Sequence, residues 1–139
     1  MVVRVELGLA ALVVCDLVVS QGADNTYRFR YGTSDGDADT EYVDLTGWSG
    51  RAQMRYSPGG EVWVSLTSDA PTGHGSSLTL DADGYVTIHL HHSETEQPAW
   101  TAYARRGGVW DLELVNPAGE VVRLVMGKVA VPEDVTRDA

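Results

Sequence analysis

Three of the four histidines of this chain lie close together, at His89, His91 and His92, where imidazole nitrogens could bind a metal ion. In an extended strand, residues i and i+2 share one face, so His89 and His91 could bind the same zinc ion. A catalytic zinc site needs a third protein ligand and an open position. Neither His74 nor any loop carboxylate has a spacing that identifies this third ligand. We therefore predict no metal site, and an exposed strand face behind which Leu90 packs.

A second candidate site is an acidic segment in which carboxylates alternate with other residues, at Asp35, Asp37, Asp39 and Glu41. Calcium takes several oxygen ligands, and one flexible acidic segment can supply them. Counted from Asp35, the sixth position is Thr40 rather than glycine and the twelfth is Thr46 rather than glutamate. This register excludes the helix–loop–helix type of calcium site. A looser calcium site and a solvated loop tip both stay open, and we favour the loop tip.

No catalytic constellation stands out among the nucleophilic and acidic residues. The only cysteine, Cys15, follows an apolar run, where its thiol is expected to be an unreactive core side chain. Asp111 and Glu113 could form an acid and base pair, but they alternate with apolar residues and so belong to the exposed face of a strand. The sequence contains neither a Gly-x-Ser-x-Gly turn nor the glycine motifs of phosphate and dinucleotide sites. We predict that the protein is not an enzyme and has no catalytic residues and no cofactor.

The composition indicates one folded, acidic, soluble domain over residues 1–139. Ten Lys and Arg residues against twenty Asp and Glu residues give a formal net charge of -10, which repels phosphate backbones and argues against a nucleic-acid partner. Hydrophobic residues make up 43% and charged residues 22%, as in folded globular chains rather than disordered ones. One cysteine cannot form an internal disulfide, so packing must stabilise the fold.

The apolar run over residues 7–14 could belong to a signal peptide or to a strand. Glu6 lies where a signal peptide carries positive charge, and Val14 precedes the cysteine where a small residue is expected. The run is also shorter than the roughly 18 to 20 apolar residues of a membrane span. We predict a buried first strand and no membrane span, so residues 1–16 are a first strand or an apolar extension.

Short runs of β-branched and aromatic residues, separated by Gly, Asp, Asn and Pro, predict an all-β domain. About nine or ten strands are expected, in an antiparallel β-sandwich or partly closed barrel with little helix. Apolar residues alternate with polar ones in two predicted hairpins, over residues 49–67 and 110–126. Gly127 is predicted to form a bulge or a kink, and Pro132 to end the last strand. The sequence Ser93-x-x-Glu96 has the form of a helix capping box, so one helical turn is predicted over residues 93–100.

Trp63 is the best candidate for a surface aromatic residue. It alternates with Val62, Val64 and Leu66, so the period of two predicts that its ring lies on the outer face of the strand. An exposed tryptophan serves either a protein interface or stacking against a sugar. We favour the interface.

Three segments, in a fixed order, carry a family resemblance. The first leads from Val18 through Gln-Gly-Ala-Asp to Tyr-Arg-Phe at residues 27–29, and the second comprises residues 43–48 and 52–55. The third contains Trp-Asp-Leu-Glu-Leu from Trp110, Pro-Ala-Gly-Glu-Val-Val-Arg-Leu from Pro117, Gly-Lys-Val from Gly127 and Pro-Glu-Asp-Val-Thr-Arg from Pro132. Over residues 18–137 this order resembles that of small β-sandwich proteins from tailed bacteriophages of actinobacteria. These are minor tail or baseplate-associated virion proteins.

The resemblance implies a structural virion component that acts as an assembly or adaptor module. It implies other tail or baseplate proteins as partners, a symmetric homo-oligomer, and a location in the phage tail after synthesis in the host cytoplasm. It carries over no catalytic residues. The C-terminal tail, residues 132–139, and the apolar N-terminal run are the expected docking elements. Residues 1–16 and 89–100 depart from the family pattern, the first by their length and apolar character and the second by their histidines.

Three alternative functions remain open. One is a carbohydrate-binding module for the host envelope, with stacking on Trp63 and a calcium ion bound by residues 35–41. Another is a head decoration or head-to-tail joining protein, because those roles also use small β domains. A metal hydrolase that uses His89 and His91 is the least favoured, because the third zinc ligand is missing.

Overall fold

The computed structural model describes residues 2–6, 12–33, 41–103 and 107–132, and within them the predicted all-β sandwich is confirmed. These ranges contain eleven strands and one helix, with three strands only two residues long. In chain order the elements are β1 (Val2–Glu6), β2 (Val13–Val14), β3 (Leu17–Val18), β4 (Asn25–Thr33), β5 (Glu41–Tyr42), β6 (Ser49–Arg55), β7 (Val62–Thr67), β8 (Ser77–Leu80), β9 (Tyr85–Leu90), α1 (Pro98–Tyr103), β10 (Gly108–Val115) and β11 (Val121–Ala130).

The strands form two sheets. The first sheet has the order β1-β4-β9-β8, with β5 also paired to β4. The second sheet has the order β2-β11-β10-β6-β7, with β3 also paired to β11. The predicted hairpins β6–β7 and β10–β11 are both present, as is the hairpin β8–β9.

The N-terminal strands pair in parallel, which departs from the purely antiparallel prediction. β1 runs parallel to β4, and both β2 and β3 run parallel to β11. A parallel pair needs a crossover connection. Here the chain leaves the first sheet after β1, passes along the second sheet through β2 and β3, and returns to the first sheet as β4.

β2 and β3 act as one strand at the edge of the second sheet. Val13 lies beside Val125 and Leu17 beside Val129, so both short strands keep the same offset from β11. We call residues 13–18 the N-terminal edge strand. The predicted buried strand over residues 7–14 falls mostly on residues 7–11, which lie outside the described ranges; within those ranges it is wrong at Leu12 and Val14, which are 38% and 71% exposed.

Two β-bulges shift the alternation of buried and exposed side chains. Between β6 and β7, Met54 pairs with Val64 and Arg55 with Val62, which leaves Trp63 as an extra residue. Between β10 and β11, Leu112 pairs with Val125 and Glu113 with Arg123, which leaves Leu124 as an extra residue. At each bulge two successive side chains of one strand are buried.

The bulges overturn two sequence predictions. Trp63, predicted on the outer face, is only 4% exposed. Gly127 was predicted to be a bulge, but the ladder continues regularly through it, with Trp110 opposite Gly127. The bulge lies instead where Leu112 and Glu113 meet β11, so Met126 turns outward and is 41% exposed.

The core lies between the two sheets and joins them through aromatic contacts. The ring centroids of Phe29 on β4 and Trp110 on β10 are 5.5 Å apart. Tyr27, Phe29 and Tyr31 face inward from β4. The largest fully buried side chains are Trp100, Phe29, Leu17, Leu45, Met54, Leu66, Leu78, Ile88, Leu90, Leu112, Leu114 and Leu124.

The helix begins later than predicted. Residues 92–96 form turns, and α1 begins at Pro98, where a proline suits the first position because the amide hydrogen is not needed there. The Ser93 hydroxyl donates to the His74 carbonyl oxygen rather than capping the helix. α1 has six residues, and no helix of the described ranges is long and apolar enough to cross a membrane. β11 ends at Ala130, before Pro132 as predicted.

Candidate functional site

An apolar surface lies along the N-terminal edge strand and the neighbouring part of β11. Its exposed hydrophobic members, which we call the edge surface, are Leu12, Val14, Val18 and Met126, with exposed fractions of 38%, 71%, 60% and 41%. Val14 lies beside Met126 in the ladder, and Leu12 and Val18 lie before and after Val14 along the same segment. Exposed Asp16, between Val14 and Val18, and exposed Lys128 on β11 add one acidic and one basic group. Exposed apolar side chains grouped in one region are typical of interaction sites.

A local break in the edge strand fixes its position on β11. The Cys15 amide still donates to the Met126 carbonyl oxygen at 2.8 Å, but beyond it the backbone leaves the ladder, and the Asp16 carboxylate accepts the Lys128 amide hydrogen at 2.9 Å. The Cys15 carbonyl oxygen turns inward and accepts from the Trp110 indole nitrogen at 2.8 Å. Gly127 makes this possible, because a Cβ there would lie 2.6 Å from the Cys15 carbonyl carbon and closer still to its oxygen.

One side chain of the first sheet, Tyr27, also holds the strand against the core. The Tyr27 hydroxyl donates to the Val18 carbonyl oxygen at 2.6 Å, and burial raises the pKa of Tyr27.

Cys15 is half-buried, and burial together with the nearby Asp16 charge raises the pKa of its thiol. A protonated thiol is a poor nucleophile, which agrees with the prediction that Cys15 is unreactive.

The structure brings together different histidines from those that the strand period predicted. His91 and His92 follow the end of β9, so the period of two does not extend to them. His91, His92 and Asp24 each place one potential ligand atom within 4.8 Å of the others. His89 does not belong to this group, and its Nδ1 lies 3.0 Å from the Thr26 hydroxyl. No sequence pattern pointed to Asp24, which is far from the histidines along the chain.

Asp24 is held by His92 through two contacts. The His92 amide nitrogen donates to Asp24 Oδ1 at 2.7 Å, and His92 Nδ1 lies 3.1 Å from the same oxygen. These backbone and side-chain hydrogen bonds lower the pKa of Asp24. The ring centroids of His91 and His92 are 4.0 Å apart. We call Asp24, His91 and His92 the histidine cluster.

A buried polar network supports the histidine cluster. Ser76, Glu94 and Thr95 are the buried polar side chains of the described ranges, and all three belong to this network. The Thr72 hydroxyl donates to the Glu94 carboxylate at 2.7 Å, and the Gly22 amide donates to the Thr95 hydroxyl at 2.8 Å. Residues 21–24, 72–76 and 91–97 are thereby joined at one end of the sandwich.

Within the part of the chain that the structure describes, the other acidic candidates join no group of metal ligands. Asp35, Asp37 and Asp39 lie outside the described ranges, and Glu41 is exposed at the start of β5. Asp111 and Glu113 lie on the outer face of β10, as predicted, and border an open concavity of about 470 Å³. Burial and the Glu113 charge raise the pKa of Asp111, whereas the Arg51 hydrogen bond, 2.7 Å from Nε to Oε2, lowers that of Glu113.

Glu113→Gln should reduce stability at neutral pH but not in acid. Because the pKa of Glu113 is lower in the folded than in the unfolded protein, its contribution is present above the unfolded value of about 4.3 and is lost as the pH falls through the folded value. We expect a loss below about 1 kcal/mol at pH 7, since the ion pair is at the surface. Urea unfolding at pH 7 and at about pH 2.5 measures this difference in stability.

Asp111→Asn is the control, because the pKa of Asp111 is shifted in the opposite direction, and it should change stability in the opposite direction. An equal loss for Glu113→Gln at both pH values would contradict the prediction.

The four tryptophans provide no exposed stacking platform. Trp63, Trp100 and Trp110 are at most 4% exposed. Trp48 is half-buried and meets Tyr31 edge to face, with ring centroids 5.8 Å apart. The prediction that Trp63 offers its ring to a sugar or a partner is therefore wrong, because the bulge in β7 turns it inward.

No family model matches the chain, and no curated protein matches it. The edge surface and the histidine cluster are thus the two features from which function can be inferred.

Proposed function

We propose that this protein is a structural virion component, a minor tail or baseplate-associated bacteriophage protein that acts as an assembly module. The order of sequence motifs over residues 18–137 supports the family part of the proposal. The edge surface is the observation that supports assembly, because Val14 and Val18 place large apolar side chains in water on an edge strand. Neighbouring proteins of the tail would cover these side chains.

We propose a second copy of this chain as the first occupant of the edge surface. An edge strand offers unpaired backbone groups, which favours pairing with another chain. A two-fold contact uses the same patch on both copies and must therefore be complementary to itself. Asp16 lies between Val14 and Val18 along the edge strand, and Lys128 lies beside Asp16 on β11, so a two-fold contact would bring one acid and one base from each copy among apolar side chains. Two copies that each carry a net charge of -10 repel each other, so apolar contact would supply most of the free energy of association.

Val14→Lys combined with Val18→Lys should dissociate the oligomer. Both side chains are more than half exposed, so the monomer should lose less than about 0.5 kcal/mol of stability. In a symmetric contact, however, the four lysines of a dimer would be buried close to one another. We expect a discrete oligomer for the natural sequence and a monomer for the double variant, measured by light scattering over a range of concentrations.

Val121→Lys is the matched control. Val121 is 53% exposed on β11 but lies at the opposite end of that strand from the edge surface, so its substitution should leave the oligomer intact. A monomer for the natural sequence at every concentration would contradict self-association. So would dissociation by Val121→Lys to the same extent. Point variants are preferable to deleting residues 1–16, because the deletion would also remove the Cys15 carbonyl that accepts from Trp110.

The virion role has its own test. Quantitative mass spectrometry of purified phage particles should find the protein at a fixed copy number relative to the major tail protein. Absence from the particles, with the protein abundant in the lysate, would contradict the proposal.

A further inference from the structure

We propose that Asp24, His91 and His92 bind a divalent transition-metal ion of the zinc type through one carboxylate oxygen and two imidazole nitrogens. One potential ligand atom of each residue lies within 4.8 Å of the other two. Zinc bonds of about 2.0–2.2 Å place ligand atoms roughly 3–4 Å apart, so small side-chain rotations suffice for all three to reach one ion. This proposal does not depend on the virion role or on self-association.

The ligand types determine the class of ion. Two imidazoles with one carboxylate suit zinc and its transition-metal neighbours, whereas calcium and magnesium prefer oxygen ligands alone. Asp24 and His92 are exposed and His91 is half-buried. Water can therefore complete the coordination, as in an open site rather than a closed structural one.

The protein already holds the carboxylate in place. The His92 amide donates to Asp24 Oδ1 at 2.7 Å, which fixes the carboxylate beside the His92 ring. In a neutral His92 ring, the Nδ1 hydrogen points toward Asp24. When a metal ion binds at Nδ1, this nitrogen loses its proton and Nε2 gains one, so the ring stays neutral and no net proton is released. The amide bond to Asp24 persists throughout.

His91 is oriented by a second set of hydrogen bonds. Its Nδ1 lies 2.8 Å from the Ser93 hydroxyl, which itself donates to the His74 carbonyl oxygen at 3.0 Å. The Ser93 oxygen must then accept the hydrogen of Nδ1, which leaves Nε2 of His91 as the free ligand atom. The Ser93 amide lies farther from Nδ1, at 3.3 Å, so we assign the hydrogen to the shorter contact. Partners of this kind orient histidine ligands in metal sites.

The surroundings also hold the two sides of the cluster together. The His91 amide donates to the buried Ser76 hydroxyl at 3.0 Å. On the Asp24 side, Gln21 and Gly22 both donate to Thr95. A bound ion would add one more link between residues 21–24 and 91–97, so binding should raise the unfolding temperature.

Zinc titration of the full chain, free of any histidine tag and stripped of metal, tests the proposal. Isothermal titration calorimetry with zinc chloride should give one ion per chain. His91→Ala, His92→Ala and Asp24→Asn should each weaken binding at least about 10-fold. Asparagine keeps an oxygen that accepts the His92 amide hydrogen, so this variant removes the charge without releasing the loop. His89→Ala and His74→Ala are the matched controls and should bind as the natural sequence does.

A second measurement needs no variant. In long-range proton–nitrogen spectra of the imidazoles, zinc should shift the ring nitrogens of His91 and His92 and leave those of His74 and His89 in place. Absence of binding would overturn the proposal. So would zinc shifts at His74 or His89, or an Asp24→Asn variant that binds as tightly as the natural sequence, since two adjacent histidines would then suffice.

Discussion

Trp63→Ala should reduce the free energy of unfolding by about 3–5 kcal/mol, the typical cost of removing a buried tryptophan. Trp63 is 4% exposed, and its ring packs on that of Trp100 with 5.1 Å between centroids. On its other side, a Cβ added at Gly108 would lie 2.5 Å from Trp63 Cη2. Truncation would therefore open a cavity between α1 and the second sheet. Urea unfolding followed by circular dichroism measures the loss.

The matched control is Ser65→Ala, which changes an exposed side chain on the same strand and should cost less than about 0.5 kcal/mol. A loss that small for Trp63→Ala would contradict the prediction and would favour the exposed position of Trp63 that simple alternation indicates. A double-mutant cycle with Trp100→Ala should give a coupling energy of about 0.5–3 kcal/mol, because the two rings are in contact.

Gly127→Ala should destabilise the protein by about 2 kcal/mol or more. The added Cβ would overlap the carbonyl group of Cys15, and no side-chain rotation can relieve a clash with backbone. Either β11 bends or the N-terminal edge strand separates from it. Separation would break the Trp110–Cys15 hydrogen bond and expose Leu17 and Val19, which are 1% and 0% exposed, at about 1.5–3 kcal/mol each.

Gly73→Ala is the control for Gly127→Ala. A Cβ at Gly73 meets nothing within 4 Å, so this change should leave stability within about 0.5 kcal/mol of the natural sequence. Hydrogen exchange of the Cys15 and Val19 amides, which donate to Met126 and Ala130, shows whether the edge strand has separated. Unchanged urea stability together with protected amides would contradict the prediction. Loss of the edge strand would also remove the edge surface, so this variant should not self-associate.

The period of two located most of the second sheet correctly. Ala52 and Met54 on β6 and Leu112 and Leu114 on β10 face the core as expected, and the turns between the paired strands lie where Gly and Pro predicted them. These predictions succeeded because alternation is a local property of an extended chain, and turn residues act through their own backbone angles.

Alternation failed where a bulge adds one residue. Trp63 is buried and Met126 exposed because each lies at or beyond an extra residue that shifts the strand by one position. Nothing in the local sequence marks either bulge. The glycine that did suggest a bulge, Gly127, is required instead by the approach of Cys15 from a segment more than one hundred residues away in the chain.

The histidine cluster was likewise predictable only in part from the sequence. Adjacent histidines are visible in the sequence, but their ligand partner Asp24 is brought to them only by the pairing of β4 with β9. The prediction paired His89 with His91 by the period of two, but this period holds only in a continuous strand, and β9 ends at Leu90.

Composition and local patterning were enough to predict the all-β class, the inward faces of most strands, the main hairpins and the acidic character of the protein. These follow from composition and from interactions between near neighbours in the chain. The parallel strand pairs, the positions of the bulges, the exposed apolar residues and the contacts between distant polar residues became visible only in the folded sandwich. Those features depend on contacts between distant segments, whose free energies are set by packing across the whole sandwich rather than by local preference.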